Sequence, residues 1–272
     1  GGRLELNNLG LLLNPRRILE VTDEAVATSD RMTVSSAGTL LLERSYPVTL
    51  LPLDHWLGTA PYPELLAAYV LPNAEIVCQI QAEAAREIEQ ATGSASLEGY
   101  QGGKKRALET CAAVYAAIRK HGIRYANPPA SFGQPGQKLR RPETIEKYKL
   151  ATCIETSLLM AAVLEKCGLH PVLVLTRNHC YVGCHLVEEM FEEVVVRSLQ
   201  ALRKRAALDE FVAIETTGLT RDTPFNEAEK AGRALLDEED AFKCAVDVVR
   251  SRENGIRPLA LGTGFDSAYV AE

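Results

Sequence analysis

The order of hydrophobic patterns in the second half of the chain constrains the fold more than any other feature. Thr152 and Glu155 form a T-x-x-E capping box, which predicts that a helix begins at Cys153. Strand patterns follow at Val172–Thr176, His179–Val187 and Phe211–Thr217, and a helical pattern from about Glu188 to Leu208 separates the last two. This order predicts an α+β core in which the helix that begins at Cys153 packs against an antiparallel sheet.

Residues 1–55 differ in pattern from the rest of the chain. They contain short apolar runs separated by turn residues, which predict a small β-rich unit. The runs are Leu9–Leu13, Met32–Val34, Thr39–Leu42 and Val48–Leu51. We predict that residues 56–272 form a second domain with a helical C-terminal segment.

Outside the core, apolar periodicity and capping residues predict several more helices in the second domain. They are a short helix Pro63–Tyr69, a helix capped by Asn73 that runs to about Gln90, a helix from Lys104 to Lys120, and two C-terminal helices, Pro224–Leu236 and Glu238–Arg252. Residues 126–142 are rich in Pro, Gly and Gln, which predicts an irregular loop before Cys153.

Composition limits the classes of function. The formal net charge of -6 argues against a general nucleic-acid-binding surface. No apolar run approaches the roughly 20 residues that a membrane span needs, and Leu11–Leu13 is too short for the core of a signal peptide. The seven cysteines are an odd number, and several lie in helical or strand patterns, which predicts free thiols in a reducing compartment. We therefore predict a cytoplasmic protein that does not contact a membrane.

Cys153 is the candidate nucleophile. Cysteine is nucleophilic as its thiolate, and the N-terminus of a helix favours that form through the helix dipole and free backbone N–H groups. The same N–H groups can stabilise an oxyanion. The negative charge of Glu155 opposes thiolate formation, so a second activating group is needed.

Two histidines on one predicted strand compete for the role of general base. His179 and His185 are six residues apart, which is about 20 Å along a strand, so only one of them can reach Cys153. We favour His179 because it lies at the strand entry beside a turn, where a site is accessible. Cys180 and Cys184 alternate with these histidines, but they face away from them and are about 13 Å apart, which predicts no metal site.

Glu215 is the candidate third member of the site. Alternation along the predicted strand Phe211–Thr217 places Glu215 on an otherwise apolar face, where a carboxylate is costly unless it has a partner. His179 would be that partner, and the order cysteine, histidine, acid along the chain is that of papain. Asp209 and Glu210 stay open as alternatives if the strand starts later.

Three segments around these residues resemble the cysteine, histidine and acid motifs of bacterial transglutaminase-like domains. They are Ala151-Thr152-Cys153-Ile154-Glu155, Asn178-His179-Cys180-Tyr181-Val182-Gly183 and Ile214-Glu215-Thr216-Thr217. Further similar segments extend the resemblance over about residues 48–260: Tyr69-Val70-Leu71-Pro72-Asn73, Gly99-Tyr100-Gln101, Pro128-Pro129-Ala130-Ser131-Phe132, Gly136-Gln137-Lys138-Leu139-Arg140, Val246-Asp247-Val248 and Gly255-Ile256-Arg257-Pro258-Leu259. The chain departs from the family at Ala151 and Asn178, where glycine is usual, at Cys180, where alanine is usual, and at His185, where an aromatic residue is usual.

The resemblance implies a papain-like, transglutaminase-like core with Cys153, His179 and Glu215 as a catalytic triad. It implies acyl transfer at an amide bond of a protein or peptide, with hydrolysis more expected than transamidation, and no cofactor. The chain is most similar to the module at the front of very large bacterial proteins that also carry helicase-type ATPase and nuclease-like segments. That context implies a larger parent protein with a role in defence against foreign DNA or phage.

Two further residues are candidates for contact with the substrate. The resemblance favours Gln137 over Gln134 as a second oxyanion donor, and it places Thr152 beside the nucleophile as a residue that lines the substrate site.

Two alternatives to an enzyme stay open. The first is an inactive transglutaminase-like module that binds a partner or regulates an attached helicase or nuclease. The second, weaker one is a nucleic-acid contact through the basic run Arg203-Lys204-Arg205, against which the acidic net charge counts.

Overall fold

The computed structural model describes residue 21 and residues 24–97, 99–127 and 137–259. These residues fall into two compact units, and the boundary lies between His55 and Trp56. The chain has the mixed helix and sheet content of an α+β protein, as predicted.

The first unit contains a long β-hairpin. It is built from two antiparallel strands, β1 (Val26–Ser36) and β2 (Thr39–Leu50). Ala37 and Gly38 connect them with φ angles of 47° and 78°, the left-handed backbone that a two-residue hairpin turn requires. The short strands predicted between residues 32 and 51 are therefore parts of two longer ones, while Leu9–Leu13 lies outside the described residues.

The second unit contains most of the helices. In its described part they are α1 (Glu75–Thr92), α2 (Gly103–Arg119), α3 (Pro142–Tyr148), α4 (Cys153–Lys166), α5 (Leu199–Ala207), α6 (Phe225–Leu235) and α7 (Val248–Glu253), with 3₁₀ helices at Pro63–Tyr69 and Thr216–Thr220. Ala74 rather than the predicted Asn73 is the N-cap of α1, and Gly93 ends that helix with a φ of 78°. Over the residues that the structure describes, none of the helices is long and apolar enough to cross a membrane.

The main sheet of the second unit is entirely antiparallel. The short strands β3 (His55–Trp56), β4 (Arg124–Tyr125), β5 (Gln137–Lys138) and β6 (Leu150–Ala151) precede it in the chain. Its strands are β7 (Pro171–Thr176), β8 (Cys180–His185), β9 (Val195–Val196), β10 (Phe211–Ile214) and β11 (Phe242–Asp247). They lie in the order β10-β8-β7-β11-β9, so β8 is flanked by β10 and β7.

Both faces of this sheet are buried, and the residues of β7 alternate between two apolar cores. Leu173 and Leu175 lie in the core that contains α4, whereas Val172 and Val174 lie in the core that contains α5. Burial on both faces explains why β7 is a continuous apolar run instead of an alternating pattern. Because α4 is buried along most of its length, its first residue, Cys153, is fixed in the interior beside the sheet.

The prediction of a helix from about Glu188 to Leu208 is wrong for the first half of that segment. The chain there forms β9 and only afterwards α5, since Val195 and Val196 pair with β11. The backbone N–H of Phe191 donates to Asp247 at 2.9 Å and holds the preceding turn against the sheet. β-Branched valines favour a strand where an edge is available for pairing, and here that preference outweighs the helical period.

The prediction of a helix over Glu238–Arg252 is also wrong, because the centre of this segment forms β11. The apolar residues Cys244–Val246 are buried against β7, and this burial outweighs the helical period of the segment. α7 begins only at Val248, because the Asp247 carboxylate accepts the backbone N–H of Arg250 at 2.9 Å and caps the helix.

Candidate active site

The pairing of β8 with β10 brings His179 next to Glu215. The two strands are antiparallel, with Val182 opposite Ile214, so the entry to β8 lies beside the exit from β10. His179 directly precedes β8, and Glu215 directly follows β10. His179 Nε2 and Glu215 Oε2 are 2.6 Å apart, which is the distance of a strong charge-assisted hydrogen bond.

Glu215 lies at the end of a strand and not inside one, contrary to the prediction. The strand ends at Ile214, and Glu215 caps the following 3₁₀ helix by accepting the backbone N–H of Thr217 at 2.8 Å. The backbone N–H of Glu215 donates to the carbonyl of Ala228 in α6 at 3.0 Å. One carboxylate oxygen is therefore fixed by the backbone, and the other is directed at His179.

Cys153 is the first residue of α4, as the capping box predicts. The Glu155 carboxylate accepts the backbone N–H of Thr152 at 2.8 Å and the backbone N–H of Arg140 at 2.6 Å. The guanidinium of Arg140 lies 2.9 Å from the same carboxylate. The negative charge that opposes thiolate formation is thus compensated by Arg140, a residue that the sequence pattern does not identify.

His179 forms hydrogen bonds with both of its neighbours in the site. Burial lowers the pKa of His179, but its hydrogen bonds with Cys153 and Glu215, and their negative charges, raise it to about 10. Burial raises the pKa of Glu215, but the hydrogen bond and charge of His179 and the N–H of Thr217 bring it below its usual value. Because Nε2 faces Glu215, the ring nitrogen directed at Cys153 is Nδ1. The favoured state of His179 is therefore the imidazolium, beside the Glu215 carboxylate.

The three residues differ in their access to solvent. The side chains of His179 and Glu215 are 24% and 16% exposed, whereas Cys153 is 0% exposed. A substrate therefore reaches the sulfur only after side chains around it have moved.

Three buried hydroxyl groups connect the segments that carry the site. This hydroxyl cluster consists of Thr156, Ser157 and Thr216, all 0% exposed. Ser157 Oγ lies 2.8 Å from the carbonyl oxygen of Cys153, 3.1 Å from that of Cys180 and 2.8 Å from Thr216 Oγ1. Thr156 Oγ1 lies 2.9 Å from the Cys153 carbonyl oxygen and 3.1 Å from Thr216 Oγ1. The cluster thus joins the nucleophile to the residues that follow the histidine and the acid.

Removing the central hydroxyl should destabilise the protein without changing its shape. Valine at position 216 fills the same volume as threonine but removes the two hydrogen bonds that Thr216 Oγ1 makes with Thr156 and Ser157, which keep the Cys153 carbonyl oxygen as a partner. At about 0.5–1.5 kcal/mol for each hydrogen bond, Thr216→Val should lower the free energy of unfolding by about 1–3 kcal/mol. Thr216→Ser, which keeps the hydroxyl, is the matched control. Urea unfolding of both variants measures the difference, and equal stability of Thr216→Val and the native protein would contradict the role of the cluster.

Three alternatives from the sequence lie away from this site. His185 is buried at the far end of β8 and lies 3.3 Å from Asp247. Asp209 and Glu210 precede β10, so they lie at the end of the strand opposite to Glu215. The structure therefore brings His179 and Glu215, and none of these three, together with Cys153.

The two candidates for substrate contact are both buried. Gln137 is the first residue of β5, and Thr152 is the N-cap residue of α4. The backbone N–H of Thr152 is already bound to Glu155 and is not available to an oxyanion. Gln134 lies outside the described residues, and the roles of Gln137 and Thr152 stay predictions.

The remaining six cysteines have no role in the candidate site. All seven cysteines are free thiols, and of these Cys78 is exposed. Burial raises the pKa of Cys180 and of Cys184 well above the usual thiol range, so both stay protonated. In the part of the chain that the structure describes, no three His, Cys, Asp or Glu side chains are grouped to hold a metal ion.

Sequence analysis does not identify one tyrosine that contacts the candidate nucleophile. The Tyr125 hydroxyl forms a hydrogen bond with Cys153. No local pattern marks this residue, because the contact depends on the pairing of β4 with β6, two strands of two residues each. The hydroxyl cluster did leave a signal, since Thr156 and Ser157 interrupt the apolar sequence of α4.

A surface cavity of about 750 Å³ lies elsewhere, around α5. Phe191, Val196 and Arg205 are among the residues that line it, as is the alternative acid Glu210, whereas Cys153, His179 and Glu215 are not. The candidate nucleophile, base and acid converge at Cys153 and not at this cavity, so Cys153 is the better candidate for the chemistry.

Comparison with known proteins gives little similarity. No protein-family model and no curated protein matches the chain. A solved structure of a proposed protease from Parabacteroides distasonis matches 60% of this chain at 12% identity, with a TM-score of 0.24. The match covers 36% of that protein, so this chain spans about a third of its length. Similarity at this level defines neither the fold nor the activity of the chain.

Proposed function

We propose that the second unit is a papain-like, transglutaminase-like cysteine domain that transfers acyl groups from amide bonds of a protein or peptide. The observation that carries the proposal is the hydrogen-bonded series Cys153, His179 and Glu215 at the N-terminus of α4. These three groups are the ones that generate and orient a thiolate nucleophile in cysteine enzymes.

The first half of the reaction acylates Cys153. Its thiolate forms a bond with the amide carbon, and the electron pair of the carbonyl moves onto the oxygen. When the oxyanion collapses, the carbon–nitrogen bond breaks, and the His179 imidazolium gives its Nδ1 proton to the leaving amine. Glu215 holds the ring in place through Nε2 and stabilises its positive charge.

The second half releases the acyl group. Neutral His179 takes a proton from water, the oxygen attacks the thioester carbon, and the sulfur leaves as thiolate. With an amine in place of water the product is a new amide. We favour hydrolysis, on the resemblance to bacterial members of the family, and we place the domain within residues 56–272 of a cytoplasmic parent protein with helicase- and nuclease-like segments.

The second candidate is an inactive module that binds a partner. It is favoured by one observation, the complete burial of Cys153, because a buried sulfur cannot meet a substrate without a rearrangement.

Alkylation by iodoacetamide at about pH 6 to 7, with the modified cysteines located by mass spectrometry, tests the proposal. Ordinary thiols are mostly protonated at this pH and react slowly. We expect Cys153 to be alkylated faster than Cys180, which is equally buried at 0% exposure, and His179→Ala to lower the rate at Cys153 by about tenfold or more.

The chain supplies its own controls for this measurement. Cys180 controls for burial, and exposed Cys78 reports the rate of an accessible cysteine outside the site. If Cys153 reacts no faster than Cys180, or if His179→Ala has no effect, the activated nucleophile is refuted and the binding module becomes the better proposal.

A further inference from the structure

The position of Tyr125 is fixed by the strands next to the nucleophile. β4 pairs in parallel with β6, and Tyr125 is opposite Ala151, two residues before Cys153. The backbone hydrogen bonds on both sides, Arg124 N–H to Lys149 at 2.9 Å and Ala126 N–H to Ala151 at 2.8 Å, prevent this register from sliding. The ring of Tyr125 is thus held beside the first turn of α4.

The hydroxyl of Tyr125 is in contact with the reacting atom of the proposed enzyme. It forms a hydrogen bond with the Cys153 side chain, and the tyrosine is only partly buried. Burial, together with the charge and hydrogen bond of Cys153, raises the pKa of Tyr125 to about 12. The group therefore keeps its proton near neutral pH and acts as a hydrogen-bond donor.

We propose that the Tyr125 hydroxyl is a side-chain donor that stabilises the oxyanion formed when Cys153 attacks a carbonyl carbon, an inference that rests on the proposed function. The oxyanion is bonded to the carbon that the sulfur attacks, so a donor already in contact with the sulfur needs only a small shift to reach it. The backbone N–H of Cys153, at the first position of the helix, is the natural second donor, because that of Thr152 is occupied by Glu155.

Such a donor acts more strongly on the transition state than on the resting enzyme. In the resting state its hydrogen bond stabilises the thiolate and lowers its nucleophilicity. As the bond to carbon forms, negative charge moves from the sulfur to the carbonyl oxygen, and the Tyr125 hydroxyl then donates to that oxygen instead of to the sulfur. Only this gain in the transition state accelerates the reaction.

Two reagents separate this role from a role in activating the thiolate. p-Nitrophenyl acetate acylates cysteine through an oxyanion, whereas iodoacetamide alkylates it in a direct displacement at carbon, without an oxyanion. Tyr125→Phe should lower the rate of Cys153 acylation by about tenfold to a hundredfold, and it should leave the alkylation rate unchanged or increase it.

Tyr148→Phe is the matched control, because Tyr148 is 58% exposed, and it should change neither rate. Equal losses of the acylation and alkylation rates in Tyr125→Phe would show that Tyr125 acts on the thiolate or on the local structure. An unchanged acylation rate would show that Tyr125 donates to no oxyanion. Either result overturns this inference but leaves the proposed function standing. Release of p-nitrophenol by Cys153→Ser at the rate of the native protein would instead refute the proposed function, and this inference with it.

Discussion

Replacing Glu215 with glutamine should lower kcat/KM for acyl transfer by about 10³-fold to 10⁴-fold, as removal of the acid does in related triads. The amide has the shape of the carboxylate and can still accept the N–H of Thr217, so the local fold should persist. It carries no negative charge, however, and the His179 imidazolium loses the partner that lies 2.6 Å from Nε2. The rate with p-nitrophenyl acetate, together with an unfolding curve for each protein, measures the effect.

Glu210→Gln is the control for this substitution. Glu210 is one of the acids that the sequence alone leaves open, and in the structure it lies near Lys104 and Arg205 instead of His179. We expect less than about a twofold change in kcat/KM for this variant. A large loss in Glu210→Gln with little loss in Glu215→Gln would reverse the assignment of the acid.

The same change at position 215 should also alter the titration of His179. In the native protein the pKa of His179 is raised to about 10, so its imidazolium persists below that pH and is lost as the pH rises through it. The hydrogen bond and charge of Glu215 are among the causes of this rise. Glu215→Gln therefore shifts the loss of the imidazolium to lower pH. An NMR titration of the imidazole signals follows it without any substrate, and superimposable curves for the two proteins would contradict the ion pair.

The parts of this site that the sequence predicts are those with a local cause. The capping box of Thr152 and Glu155 places Cys153 at a helix start, whatever the rest of the chain does. The apolar run of β7 and the turn before His179 are local in the same sense. Glu215 was identified from a strand pattern that extends too far, since the strand ends one residue before it.

The parts that the sequence does not predict depend on contacts between distant segments. β9 and β11 form because they pair with each other and because β11 also pairs with β7, while their valines fit a helical period equally well. Arg140 reaches the site from a short connection and Tyr125 from a two-residue strand, and neighbours far along the chain set the course of both segments. A helical period is a weak signal in short segments, and pairing at a free sheet edge overrides it.

The burial of Cys153 affects both its interaction with His179 and its access to substrate. A sulfur protected from water interacts more strongly with the charge of His179, because electrostatic interactions are stronger in a medium of low dielectric constant. The same protection excludes substrate until the surrounding side chains move. Acylation and alkylation both require access to the sulfur, so a change confined to the acylation rate reports stabilisation of the oxyanion.

Gly232→Ala should destabilise the protein, although the same change inside a helix usually stabilises it by about 0.5–1 kcal/mol. Gly232 lies in α6 where that helix rests directly on the backbone of β10. A Cβ atom at this position would overlap the carbonyl of Ala213 and lie 2.6 Å from the backbone nitrogen of Ile214. Backbone atoms of a paired strand cannot yield as a flexible side chain can, so α6 has to move away. We expect the free energy of unfolding to fall by about 1–3 kcal/mol.

The displacement of α6 should also reach the candidate active site. The backbone N–H of Glu215 donates to the carbonyl of Ala228, one turn before Gly232, so a shift of the helix changes the position of the carboxylate. Urea unfolding and the acylation rate of the folded protein measure the two effects together. Ala231→Ser, at an exposed position of the same helix, should change stability by less than about 0.5 kcal/mol. A Gly232→Ala protein as stable and active as the native one would show that α6 does not rest on β10 so closely, and that the acid is positioned by β10 and His179 alone.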